Sequence, residues 1–331
     1  MIEQMNRHLR TELLKKDGKV QEEKLWENNF IRRQIEKREN GGSFGLKDHI
    51  RAMVAMAGRR SPKPPVVKED TIVSSYGRAV VLNRKPVIIG ERINPTGKKK
   101  FKQALKDHDM DYILREGVTQ QDKGAHILDV NVGLPDIDEV SMMREAVTEL
   151  QSVTSLPLQI DTVDIRAMES AMRIYNGKPM INSVNGKQEV MDAVFPLIQR
   201  YGGAVVALTI DEEGIPKTAK GRCRIAGRII EEAAKYGIAK KDIVVDVLAM
   251  TISSEPEGAK TTLDALRMVR EAYGVCTVLG VSNISFGLPC RPVINANFYT
   301  MALHSGLSAG IINPSSEDMM RSYDSFCALI G

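Results

Sequence analysis

The chain has 331 residues, with 46 Lys and Arg against 42 Asp and Glu, a formal charge of +4, and 43% apolar residues. That length holds one large domain with an appendage or two small domains, and the composition is that of a globular protein. The mild charge excludes a nucleic-acid footprint, and no apolar run reaches the ~18 residues that would suggest a membrane span. Cys223, Cys276, Cys290 and Cys327 stand far apart without a C-x-x-C pair, and the N-terminal stretch lacks the apolar core of a signal peptide. The expectation is a cytoplasmic protein with reduced thiols, not a disulfide framework or a zinc site.

Residues 1–65 differ from the rest. Leu9, Leu13 and Leu14, then Leu25, Trp26, Phe30 and Ile31, fall at helical spacing among charged residues. Gly41-Gly42-Ser43 interrupts the pattern, residues 46–56 read as another short helix, and Ser61-Pro62-Lys63-Pro64-Pro65 reads as a stiff linker. This helical extension is expected either to pack, solvated, on the main domain or to serve as a docking arm for a partner.

From Pro86 onward short apolar runs recur at 87–89, 127–130, 158–160, 180–181, 204–208, 243–245, 277–281 and 310–312. Each is followed by a stretch of helical periodicity, such as 163–175, 188–201, 261–273 and 317–329. Eight strands alternating with helices predict a parallel α/β fold. The count favours a closed (β/α)₈ TIM barrel over residues 66–331, and no G-x-G-x-x-G after the first strand supports a dinucleotide fold.

In such a barrel the active site forms at the carboxyl ends of the strands. The first run ends in Gly90-Glu91-Arg92-Ile93-Asn94, the second in Asp129-Val130-Asn131 and the third in Asp161-Thr162. The fourth ends in Asn182-Ser183-Val184-Asn185, the sixth in Asp246, the seventh in Ser282-Asn283 and the eighth in Asn313. Any one of these is explained as a helix cap or a turn residue. Seven of eight strands, several with the polar residue inside the apolar run, read as a binding rim.

The rim lacks His or Cys at ligand spacing, so no metal is expected. His126 precedes an apolar run and His304 lies in a helical stretch, which leaves a Ser-His-Asp hydrolase without its base. Carboxylates and amides suit a flat heterocycle with adjacent N–H donors and ring acceptors, and the 2-amino-4-oxo edge of a pterin has that pattern. The stretch from Gly90 to Lys98 has a superficial likeness to a phosphate loop, but the glycine spacing is wrong and Lys99 stands where Ser or Thr should be. Lys98, Lys99 and Lys100 are expected to form a solvated face, or to attract the glutamate tail of a folate.

Five segments, in order, resemble the pterin-binding methyltransferase family: residues 90–97, 128–133, 160–162, 180–185 and 280–289. That family contains the folate module of cobalamin-dependent methionine synthase and the methyltetrahydrofolate:corrinoid protein methyltransferases. The resemblance covers about residues 85–331. It implies a TIM barrel that binds methyltetrahydrofolate or tetrahydrofolate and exchanges the N5-methyl group with a corrinoid (cobalamin) carried by a partner protein. Asp161, Asn182 and Asp246 match the residues that hold the pterin edge, and Asn283 matches the asparagine beside N5. Asp129 and Asn131 line the same pocket, Glu91 and Asn94 belong to the first-strand motif, and Arg291 matches a position near the folate. Asn283 and Asp161 are the expected catalytic residues. A methyl on a neutral tertiary amine is hard to displace unless N5 is protonated or strongly hydrogen-bonded, which the asparagine amide and a proton relayed from the aspartates would provide.

The resemblance leaves alternatives. The chain shows no cysteine cluster for zinc and no room for a cobalamin domain, which favours a stand-alone methyltransferase. The sequence around Asn283 is closer to the methionine synthase module, with Phe286 where the acetogen-type enzyme carries a polar residue, so a folate module cut from that enzyme is a second reading. Dihydropteroate synthase is a third, although its Ser-rich first loop and late lysine are replaced here by residues 93–97 and Ser282-Asn283. A non-catalytic folate-binding subunit that docks a corrinoid protein is a fourth. The family leaves room for a homodimer, and neither nucleic acid nor membrane is an expected partner.

Overall fold

The computed structural model describes residues 46–58, 66 and 68–330. The chain divides into two units, Met1–Lys68 and Glu69–Gly331. In the first, helix α1 spans Leu46–Ala57, where the short helix was expected, and Ile50, Met53 and Val54 on it are exposed. The apolar spacing from Leu9 to Ile31 and the Pro-rich stretch at 61–65 lie outside the described residues.

The second unit opens on an antiparallel hairpin, β1 (Ile72–Ser74) and β2 (Ala79–Val81), which the pattern of the sequence does not announce. Three-residue strands are too short to display alternation. Val73, Val80 and Leu82 are buried against the inner residues near the starts of the barrel strands. Ser74 and Lys178 exchange backbone hydrogen bonds of 2.8 and 3.0 Å, fixing the hairpin under the amino-terminal end of the barrel.

Eight parallel strands then close into a barrel: β3 (Val87–Ile93), β4 (Ile127–Val130), β5 (Leu158–Asp161), β6 (Met180–Asn185), β7 (Ala204–Leu208), β8 (Ile243–Asp246), β9 (Cys276–Gly280) and β10 (Ala309–Ile312). Each pairs with the next in chain order, and β10 pairs back onto β3. The helices are α2 (Lys99–Lys106), α3 (Met110–Asp122), α4 (Glu139–Val153), α5 (Ile165–Ile174), α6 (Gln188–Tyr201), α7 (Ala219–Lys235), α8 (Gly258–Tyr273), α9 (Arg291–His304) and α10 (Glu317–Ile330). This is the expected (β/α)₈ TIM barrel. Several helices start on caps that the sequence supplies: Asp138 accepts the N–H groups of Val140 and Ser141 at the head of α4, and Asp164 those of Arg166 and Ala167 at the head of α5.

Strand parity decides what faces the inside. Successive side chains point to opposite faces of a strand. Ile89, Ile127, Met180, Val206, Val244 and Val278 form an inner cluster with the hairpin, while their neighbours Ile88, Leu128, Ile181, Val205, Val245 and Leu279 pack among the helices. Two residues further along the inner set come Glu91, Asp129, Asn182 and Asp246, and Asp161 pairs in register with Asn182. The polar residues thus stack directly above the apolar floor, at the carboxyl end of the barrel.

β3 and β6 run past the ends expected at 89 and 181, because polar residues end the apolar run without ending the pairing. Both strands shift register at the rim, between Gly90 and Ile93 and between Asn182 and Val184. An irregularity of this kind re-aims the side chains that follow it. Gly90 faces outward onto α3, where Gln120 Oε1 accepts the Arg92 N–H at 2.8 Å, and a Cβ at position 90 would collide with that amide. No helix among the described residues is long and apolar enough to cross a membrane.

Candidate active site at the barrel mouth

The ends of β4 and β5 carry the most tightly coupled polar group. Asp129, buried at 3% exposure, accepts a 2.6 Å hydrogen bond from Gln159 Nε2, one layer below Asp161 on the neighbouring strand. Asn131 Nδ2 donates to Asp161 Oδ2 at 3.0 Å, and Asn131 Oδ1 accepts the Gly133 N–H at 3.0 Å. Burial lifts the Asp129 carboxyl well above its ordinary range, and the nearby Asp161 adds to this; Gln159 and Lys98 pull the other way. Asp161 is pushed up to about 6, first by burial and then by the charge of Glu139, against the opposing hydrogen bond from Asn131. Glu139 in turn accepts the Thr162 hydroxyl.

Across the barrel Asp246 ends β8. Its carboxylate accepts the Leu248 N–H at 2.7 Å, and burial raises it to about 7 in spite of that bond and of the Arg222 charge nearby. Thr209, which follows the one strand without a terminal Asp or Asn, donates both N–H and hydroxyl to the Asp246 carbonyl. Asn182 lies half-buried between Asp161 and the end of β7.

The third part of the rim joins β3 to β9. Ser282 Oγ donates to Glu91 Oε2 at 3.3 Å. Lys98 Nζ donates to the Glu91 carbonyl at 2.7 Å. Burial raises the Glu91 carboxyl and lowers the Lys98 ammonium, each opposed by the charge of the other. Arg291, the first residue of α9, donates to Ser285 Oγ at 3.0 Å and to the Ser282 carbonyl at 3.1 Å, with its guanidinium 4.6 Å from the Phe286 ring centre. It thereby braces the 3₁₀ turn of Val281–Ser285, from which Asn283 projects into solvent at the mouth.

The structure brings Glu91, Asp129, Asn131, Asp161, Asn182 and Asp246 together, with Asn283 on the turn above them. Asn94 sits on the rim with its amide oxygen accepting the Thr96 N–H at 2.9 Å, the turn role that its residue type also suits. Asn185 and Asn313 do the same for Lys187 and Ser315. Lys98 departs from expectation: it is half-buried and bonded into the rim, while Lys99 and Lys100 stay exposed. Its ammonium is drawn inward because the carbonyl and carboxylate of Glu91 offer it partners. His126 lies at the amino end of β4, where Nδ1 accepts the Ile88 N–H at 2.9 Å, far from the chemistry of the rim.

The sequence did not single out Gln159, Glu139 or Arg222, and it offered Ser282 as a strand-end residue without a partner. Gln159 had a signal: a polar residue within the apolar run, at the parity of Asp161. Beside the floor, an open cleft of about 640 Å³ is lined by Asn131, Gly133, Glu139, Asp161, Thr162 and Arg166, among others, and leads outward from the β4 and β5 ends. It is continuous with the site through Asn131 and Asp161. Chemically, the floor offers carboxyls short of donors, and Gln159 Oε1 is buried without a partner. A flat ligand edge with adjacent N–H groups complements that set.

Residues 90–313 match the family model described as "Pterin binding enzyme". The chain is 32% identical over 297 residues to a "Methionine synthase" of Mycobacterium leprae, covering 83% of this chain and 24% of that protein. It is 30% identical over 251 residues to a "Methylcorrinoid:tetrahydrofolate methyltransferase" of Eubacterium limosum, covering 74% of this chain and 91% of that one. The chain therefore spans about a quarter of the length of the methionine synthases it matches. Among solved structures, dihydropteroate synthase of Yersinia pestis aligns at 14% identity with a TM-score of 0.62, covering 79% of this chain and 99% of that one. The Xanthomonas albilineans enzyme in complex with 7,8-dihydropteroate aligns at 18% identity with a TM-score of 0.58, over 79% and 99% of the two chains. At those identities the likeness is one of fold. On the family match and the identity to the methionine synthase and the methyltransferase, the chain belongs to the pterin-binding methyltransferase family.

Proposed function

We propose that this protein moves the N5-methyl group between methyltetrahydrofolate and the cobalt of a corrinoid held by a partner protein. The observation that carries the reading is the floor of Asp129, Asp161, Asn182 and Asp246, whose carboxyls are lifted toward neutrality by burial with few donors to hold them ionised. The 2-amino and ring N–H groups of a pterin would donate to them side by side. The name of the Eubacterium limosum relative supports the corrinoid as the other substrate.

In the forward direction the N5–methyl bond breaks, its electron pair stays on N5, and the methyl carbon bonds to the cobalt nucleophile. N5 then takes up a proton. Asn283, exposed on the turn at the mouth, donates its amide to N5 as negative charge develops there. Asp161, pushed up to about 6 by burial against the hydrogen bond from Asn131, exchanges a proton near neutral pH. The barrel otherwise positions the donor and keeps its methyl facing the open mouth. The identity to methionine synthases favours a second reading, in which the same chemistry serves as the folate module of a larger enzyme.

The test adds methyltetrahydrofolate and reduced cobalamin, free or on a corrinoid protein, to the purified protein and follows the loss of Co(I) absorbance. Conversion to methylcobalamin supports the reading. Tight folate binding without transfer to either acceptor points to a binding subunit, and consumption of p-aminobenzoate points to dihydropteroate synthase.

A further inference from the structure

Behind Asp246 lies a buried cation. Arg222, in the first turns of α7, is 0% exposed, the largest side chain so enclosed in the described structure. Its Nε donates to the Pro216 carbonyl at 3.0 Å, and Nη1 donates to Val247 O at 2.9 Å, Leu248 O at 2.6 Å and Thr262 Oγ1 at 3.2 Å. No carboxylate stands within ion-pair distance of it among the described residues, the charges of Glu255 and Asp246 act on it from further off, and Nη2 is buried without a partner. A guanidinium is an expensive way to fill a core, since an unpaired buried charge is strongly disfavoured.

Its position gives it a different use. Val247 O and Leu248 N–H are the two ends of one peptide group. Arg222 holds the carbonyl end, and the N–H end donates to the Asp246 carboxylate at 2.7 Å. Hydrogen bonds in series polarise one another, so the cation strengthens the donor that Asp246 receives. Leu248 is held at φ +66, a conformation that a non-glycine residue keeps only when its surroundings impose it. Thr262 and Pro216 tie the same guanidinium to α8 and to the loop before α7, so the β8 loop is held against both.

We infer that Arg222 is a positioning residue for pterin recognition: through the Val247–Leu248 peptide it aims the Asp246 carboxylate at the ligand without touching the ligand itself. The inference rests on the reading of Asp246 as a pterin ligand.

A double-mutant cycle on methyltetrahydrofolate binding, measured by calorimetry on the full chain, tests it. Arg222→Met is expected to weaken binding roughly tenfold to fiftyfold in the wild-type background, as for loss of a charge-assisted hydrogen bond. In an Asp246→Asn background it should change affinity by less than about twofold, because the residue it acts through is already disabled. Arg222→Lys, which keeps the cation and its hydrogen-bond donors, should recover affinity to within about threefold of wild type. If Arg222→Met fails to fold, Arg222→Lys and Arg222→Gln carry the cycle, with folding checked by circular dichroism. Equal losses in both backgrounds, or no loss in the wild-type background, would overturn the inference and leave Arg222 a core strut. Unchanged binding in Asp246→Asn alone would instead remove Asp246 from pterin recognition, and the inference with it.

Discussion

Asn131 spans two functions with one amide: its nitrogen donates to Asp161 at 3.0 Å while its oxygen accepts the Gly133 N–H at 3.0 Å. The second bond orients the first, so Asp161 meets a fixed donor on one oxygen and keeps the acceptor capacity of the other for a ligand. That donor opposes only part of the desolvation, and Asp161 is left at about 6, near the pH at which it would work.

The free protein should show that burden in its stability. Asp161 has a folded pKa of about 6, above the ordinary carboxylate value, so its contribution is fully present below roughly pH 4 and is lost as pH rises through 6. Asp161→Asn removes the ionisation and keeps the shape. Denaturation curves of the variant should match wild type near pH 4 and exceed it by about 1–3 kcal/mol at pH 7.5. A variant less stable than wild type at both pH values would count against the buried carboxyl as the cause.

Ligand affinity should run in the opposite direction. A pterin edge that donates to carboxylates favours their ionised forms, so methyltetrahydrofolate should bind more tightly as pH rises from 5 to 7.5. The slope should approach about tenfold per pH unit below the pKa of each participating group. Asp246, at about 7, and Asp161, at about 6, are the groups involved, and single Asn variants should each flatten part of the curve. A flat wild-type titration by calorimetry would contradict the pairing.

Asn283→Ala should separate binding from transfer. The side chain is exposed on the Val281–Ser285 turn and contributes no support to the core. Methyl transfer is expected to fall about 10²–10³-fold, as for loss of one donor to a developing charge, with folate affinity changed by less than about threefold. Stopped-flow traces of Co(I) loss at saturating folate read the first quantity. Parallel losses in the two would make Asn283 a binding residue only.

Gly90→Ala should act from outside the barrel. The added methyl meets the Gln120 amide, which must surrender its bond to the Arg92 N–H, and the strand that presents Glu91 shifts with it. Urea denaturation should show a loss of about 1–3 kcal/mol, typical of overpacking. Gly90→Ala with Gln120→Ala should recover a good part of it, because the smaller side chain leaves room.

Much of the barrel is legible before any coordinates. Gln188–Tyr201 is a helix over the span its periodicity gives, and Ala204–Leu208 is a strand over the span of its apolar run. Parity within a strand follows from backbone geometry alone, so Asp161 and Asp246 are assignable to the inner face once their strands are recognised. The hairpin at Ile72–Val81 escapes such reading because its three-residue strands are too short to show alternation and the floor it covers lies elsewhere in the sequence. Asn94 and Asn313 show the ambiguity of residue type, since the same amide caps a turn or faces a ligand.

What the sequence determined by itself was the order of strands and helices, the family signature at the strand ends, and the set of carboxylates and amides that would share one rim. These are local properties: periodicity, capping and parity act over a few residues. Tertiary structure alone decided which of those groups touch, and how each is charged. Ser282 reaches Glu91 across 191 positions of chain, and Gln159 reaches Asp129 across 30. Arg222 supports the loop after Asp246 from another helix altogether. Burial and the neighbours that accompany it set the pKa of a carboxyl, and both exist only when distant segments close around it.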